Sequence, residues 1–137
     1  MLYGAHDSDD GSPWRARSAA QAFADGVLVR RRHRRPGHLA LVYAYYTPGS
    51  CAKGACTLGV SFVQSPDGGA SWTKPLRLDV EPMQMQWLPL AEGRMVGDYF
   101  ASAFAGDRVV PVFTLAIEPT DGRLHEAIFA SSLKPLG

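Results

Sequence analysis

The eight residues Ser65-Pro-Asp-Gly-Gly-Ala-Ser-Trp72 constrain this chain more tightly than any other stretch. Each defined position has a mechanical job. The Asp67 carboxylate accepts N–H bonds from its own turn, Gly69 supplies a backbone conformation barred to residues with a Cβ, and Trp72 places its ring beneath. Ser65 and Ser71 flank the aspartate with hydroxyls. The octapeptide lies between two strand-like runs, Leu58–Gln64 and Trp72–Leu78, and so predicts a hairpin held by its own side chains. Asp67 is assigned to the fold and not to acid catalysis.

The flanking sequence extends the same reading. From His38 onward, short runs rich in Val, Tyr, Phe and Thr are separated by Gly, Pro and Asp, the pattern of an all-β domain. Strands are expected at Leu39–Tyr46, Leu58–Gln64, Trp72–Leu78, Tyr99–Phe104, Arg108–Leu115 and His125–Ser131, with Val27–Val29 a weaker run. In Arg108–Leu115 one face carries Val109, Pro111, Phe113 and Leu115, the other Val110, Val112 and Thr114. Apolar residues on both faces place this strand between two layers. Pro111 must sit where no neighbour needs its missing N–H. Ala105-Gly-Asp107 closes one hairpin around Gly106, and Pro119-Thr-Asp-Gly122 closes the next, which makes a three-strand meander.

With 137 residues, 46% of them hydrophobic and 20% charged, the composition is globular rather than disordered, collagenous or coiled-coil. The longest clean apolar run, Leu39–Tyr46, falls far short of the ~18 residues of a membrane helix, so no membrane role is expected. Residues 1–37 stand apart. They carry seven Arg against four Asp, a local +3, whereas residues 38–137 carry seven basic and nine acidic side chains, a local −2. Arg30-Arg-Arg-His-Arg-Arg35 has the charge to meet phosphates, but it has no interleaved aromatics for base stacking and runs into Pro36-Gly37. It reads as a solvated arm, with no nucleic-acid partner. Within the arm, Trp14–Phe23 could form a few turns of helix, and Leu2–Ala5 is too short for a secretory h-region.

Other chemistry is sparse. Cys51 and Cys56 share a loop with Gly54, a spacing that lets the two sulfurs meet in a disulfide. One cysteine pair without a second makes no zinc site, so no metal is expected. No phosphate loop, nucleophile elbow or metal-binding helix motif occurs, so no cofactor is expected either. Met83-Gln-Met-Gln-Trp87 reads as apolar cover beneath a long connection, not as a binding patch.

The octapeptide matches the Asp-box, Ser/Thr-x-Asp-x-Gly-x-Ser/Thr-Trp/Phe, at every defined position. On that motif and its strands the chain resembles the sialidase-like, BNR-repeat β-propellers, in which Asp-boxes join the third and fourth strands of a blade. The resemblance covers residues 38–137. It implies antiparallel four-stranded blade-like sheets forming a partial propeller. Leu39–Tyr46, Leu58–Gln64 and Trp72–Leu78 would be the second to fourth strands of one blade. Met95–Phe104, Arg108–Leu115 and His125–Ser131 would be the first three of the next. A ring of ~4–8 blades at ~40–50 residues each exceeds 137 residues, so about two blades are expected, ending as the C-terminal part of a ring does.

Sialidases of this kind use a tyrosine nucleophile supported by a glutamate, an aspartate acid and three arginines that grip the substrate carboxylate. A neutral phenol suits an anionic sugar, because a carboxylate nucleophile would be repelled. The resemblance places Tyr99, in Gly97-Asp-Tyr-Phe100, at the nucleophile position. Phe100 stands where a small polar residue is usual, and Val112–Leu115 lacks the acidic residue often found on that strand. Arg94 and Arg108 have no third arginine in register, and Glu81, Glu92 and Glu126 have no spacing that pairs them with Tyr99. The resemblance therefore implies a secreted, glycan-associated parent and a chain without independent catalysis. The alternatives are an exo-sialidase active only in a complete or assembled ring, and a non-catalytic module that binds a glycan or protein or self-associates through open blade edges.

Overall fold

The computed structural model describes residues 26–30 (backbone only), 37–47, 50–51, 56–91, 93–97 and 99–134. The Trp14–Phe23 helix, most of the Arg30–Arg35 run, Glu92 and Asp98 lie outside them. The described residues are all-β and antiparallel. One sheet contains β1 (Gly26–Arg30), β2 (Leu39–Tyr46), β3 (Thr57–Ser65) and β4 (Leu76–Arg77) in that order, and β5 (Met83–Gln84) also pairs with β3. The other contains β6 (Ala101–Ala105), β7 (Arg108–Thr120) and β8 (Arg123–Ala130), in that order. Strand β1 lies inside the arginine-rich segment, yet it pairs with β2 from Gly26 opposite Tyr43 to Arg30 opposite Leu39.

Alternation along β2 and β3 sets the core. Ala40 and Val42 on β2 and Leu58, Val60 and Phe62 on β3 point one way and are buried together with Val109 and Phe113 of β7. The connection between the sheets closes this core, because Met83, Trp87, Leu88, Val96 and Phe100 are buried in the same cluster. A single 3-10 turn, Met85–Trp87, sets Trp87 into it, and the Ala116 N–H of β7 donates to the Met83 sulfur at 3.1 Å. The Met–Trp stretch thus joins the two sheets.

Three elements differ from expectation. Trp72–Leu78 forms ladder pairs only at Leu76–Arg77. The Thr73 N–H donates to the Gln64 carbonyl at 2.9 Å and Leu76 pairs with Phe62, which leaves one extra residue on this strand; Pro75, without an N–H, falls at that bulge. Tyr99 and Phe100 precede β6 instead of opening it. Strand β7 runs on to Thr120 and carries Pro119 past an irregularity, so the turn contracts to Asp121-Gly122, at φ 53° and 74°. Two positive φ values are the I′ pattern that suits a two-residue hairpin. At the other hairpin Gly106 takes φ 59°.

Strand β4 ends in a side-chain substitution for the ladder. The Asp79 carboxylate is fully buried, accepts the Val60 N–H on Oδ1 at 2.9 Å, and receives the Arg77 guanidinium on Oδ2 at 2.5 Å. It takes the place of the backbone carbonyl that β4 no longer offers β3.

In the second sheet, Thr114 Oγ1 and Ser102 Oγ are buried without a hydrogen-bond partner among the described residues. An unmade bond at a buried hydroxyl leaves its desolvation uncompensated. Thr114→Val, which keeps the shape and removes the hydroxyl, is expected to stabilise the chain by about 1 kcal/mol, read as a higher urea midpoint at unchanged slope.

Candidate functional site

The Asp-box turn holds together through its own side chains. The Ser65 hydroxyl donates to Asp67 Oδ1 at 2.8 Å and accepts the Gly69 N–H at 2.8 Å. Ser71 donates twice, its N–H to Oδ1 at 2.8 Å and its hydroxyl to Oδ2 at 2.5 Å. Gly68 and Gly69 adopt φ 75° and 97°, in the left-handed region, and the Gly68 N–H reaches the Gly37 carbonyl at 2.6 Å, tying the turn to the start of β2. Trp72 is partly exposed, not fully covered as expected.

Every donor on Asp67 prefers the ionised carboxylate. The Ser71 hydroxyl, then the Ser71 N–H, then the Ser65 hydroxyl lower its pKa from 3.8 to about 2. A folded pKa below the unfolded one means that this contribution to stability is complete above pH 3.8 and lost as pH falls towards about 2. Ser71→Ala removes the largest cause. The Asp67 carboxyl titration followed by carbon NMR should move from about 2 back towards 3.8, while an unmoved midpoint would mean that Ser71 does not set it.

The position to which the resemblance assigns a nucleophile is open. Tyr99 is 72% exposed, and among the described residues no hydrogen bond reaches its hydroxyl. Glu126 of β8, for which sequence spacing offered no partner, places Oε1 on the Gly97 N–H at 2.9 Å, two residues before Tyr99. Across β7 and β8, Ala116 stands opposite Glu126, and this long-range pairing is what brings the carboxylate to the chain ahead of β6. The arginines do not gather here. Arg94 donates to the Leu88 carbonyl at 2.8 Å and closes the loop bridged at Leu90 and Arg94, and Arg108 lies 3.9 Å from exposed Asp107.

Cys51 and Cys56 are joined by a disulfide, with Cα atoms 4.1 Å apart, in the loop between β2 and β3. The same loop is closed by the Ser50 hydroxyl, which donates to the Thr47 carbonyl at 2.8 Å and accepts the Thr57 N–H at 3.1 Å. Among the described residues no three His, Cys, Asp or Glu side chains gather as metal ligands, and no helix is long and apolar enough to cross a membrane.

Comparison with models of protein families, with curated proteins and with solved structures finds no match to this chain.

Proposed function

We propose that residues 26–134 are two successive blades of a sialidase-like, BNR-repeat propeller from a secreted, glycan-associated parent, and that this chain has no catalysis of its own. One observation carries the reading: an Asp-box with its side-chain bonds made closes β3 to β4 of a four-strand antiparallel meander, and that meander packs on a second one of three strands. Two sheets amount to two blades of a ring that needs at least ~4. The disulfide suits an oxidising compartment. The dispersal of Arg94 and Arg108 onto a loop carbonyl and an exposed aspartate supports the absence of independent turnover.

Glu126 beside Gly97 favours one alternative, an exo-sialidase that acts only in a complete or assembled ring with Tyr99 as nucleophile. Exposed Leu124, Ile128 and Phe129 on β8 favour another, a non-catalytic module that binds a glycan or protein or pairs with itself at this edge. Incubating the chain and its Tyr99→Phe variant with a fluorogenic sialoside separates the readings. We expect no turnover from either. Turnover by the parent chain that Tyr99→Phe abolishes would establish the enzyme reading instead.

A further inference from the structure

The face of the first sheet that looks away from the second divides in two. Its lower half, Leu39 and Leu41 on β2 with Val63 on β3, is apolar and buried. Its upper half carries Tyr43 and Tyr45 on β2, Gly59 and Ser61 on β3 and Arg77 on β4. Register sets these in rows, Tyr43 opposite Ser61 and Ser61 opposite Arg77, with Tyr45 opposite Gly59.

The orientation of Tyr45 follows from three distances. A Cβ built on Gly59 would fall 2.6 Å from Tyr45 Cζ and 2.8 Å from both Cε1 and Oη. An approach in the plane of the ring would bring Cε1 and Oη closer than Cζ, so the Cβ direction meets the face of the ring. Since that direction is normal to the sheet, the ring lies flat on Gly59 with its other face turned outward. Glycine is what allows this, because any side chain at residue 59 would lift the ring. Tyr43 stands beside it as a tilted wall, with ring centroids 6.0 Å apart at 52°. Burial, then neighbouring Tyr45, raise the Tyr43 pKa against the lowering bond with Ser61, which keeps its phenol protonated.

The charge beside the platform is balanced. The Arg77 side chain is 51% exposed, and its partner Asp79 is fully buried against it. The guanidinium has five N–H donors, of which one is seen bonded, to Asp79, among the described residues, while the pair as a whole carries no net charge. Among the described residues of β2, β3 and β4 on this face, Arg77 is the only charged side chain besides the Asp79 that neutralises it.

We propose that Tyr45, walled by Tyr43 and edged by Arg77 and Ser61, is a stacking platform for a neutral sugar ring. Tyr45 is half-buried; the C–H face of a pyranose is apolar and matches the outward face of its ring, and its hydroxyls accept from the guanidinium. Among the described residues of this face, a carboxylate or sulfate finds no uncompensated cation. This site differs from the Tyr99 position in place and in ligand charge, and it does not rest on the propeller reading.

Titrating the isotope-labelled full chain with lactose, maltose and cellobiose, and separately with glucuronic acid, tests the platform. At least one neutral disaccharide should give saturable amide shifts centred on Gly59 and Ser61 and on the Arg77 side chain. Tyr45→Leu, which fills the space over Gly59 without a ring, should weaken that binding about tenfold, and Tyr45→Phe should leave it nearly unchanged. Should Tyr45→Leu fail to fold, Arg77→Met serves in its place, with a loss of several-fold expected. Absence of saturable shifts with all three neutral sugars, undiminished binding by the variant, or tighter binding of glucuronic acid would each overturn the proposal. Sialoside turnover reports on Tyr99 and not on this face, so either reading can fail alone.

Discussion

Replacing Asp79 by alanine should cost this chain about 3 kcal/mol, among the largest losses from any single polar change. The carboxylate is fully buried, and its removal strands the Val60 N–H inside the first sheet and frees Arg77 from its partner. Arg77 is half exposed and regains water, so most of the loss comes from the unsatisfied N–H. Asp79→Asn keeps an acceptor for Val60 and should cost clearly less. Urea unfolding of both variants, with slopes compared, checks the difference. Equal losses would mean that the ion pair, and not the ladder substitution, carries the effect.

Phe113→Ala should cost about 3–5 kcal/mol, comparable with the whole stability of many domains. Phe113 is 3% exposed in the core shared by the two sheets, and its ring stacks on Phe129 at 6.3 Å and 22°. Emptying that position removes packing between the sheets and on the edge strand at once. Phe129→Ala, at a position 41% exposed, should cost much less. Calorimetry of the pair tests the contrast, and similar losses would show that the cross-strand ring contact matters more than the joint between the sheets.

Strands were legible where period-two alternation and turn chemistry agreed. Leu39–Tyr46 matches β2 residue for residue, and Leu58–Gln64 lies one residue inside β3 at each end. The Asp-box was legible for a stronger reason: each donor and acceptor is supplied within seven residues, so tertiary context adds little. Trp72–Leu78 was over-extended, because β propensity says nothing of a bulge at Pro75. Strand β7 was ended at Leu115, five residues short of Thr120, because Pro119, a proline tolerated at a strand irregularity, was read as a turn signal.

The long-range placements were less legible. Asp79 escaped notice, although Arg77-Leu-Asp79 has the spacing that sets two residues on one face of a strand. Glu126 reaches Gly97 only through the β7–β8 register. Tyr45 over Gly59 depends on a cross-strand pairing fixed by the loop between β2 and β3, and neither residue is distinctive alone.

Sedimentation of the purified chain, with sialoside release assayed on each resolved species, tests the central claim most directly. Two blades of a larger ring predict a folded monomer, or edge-paired species growing with concentration through β8, and no release of sialic acid in any fraction. A closed oligomer that releases sialic acid, and stops doing so in Tyr99→Phe, would contradict the claim that this chain lacks catalysis of its own.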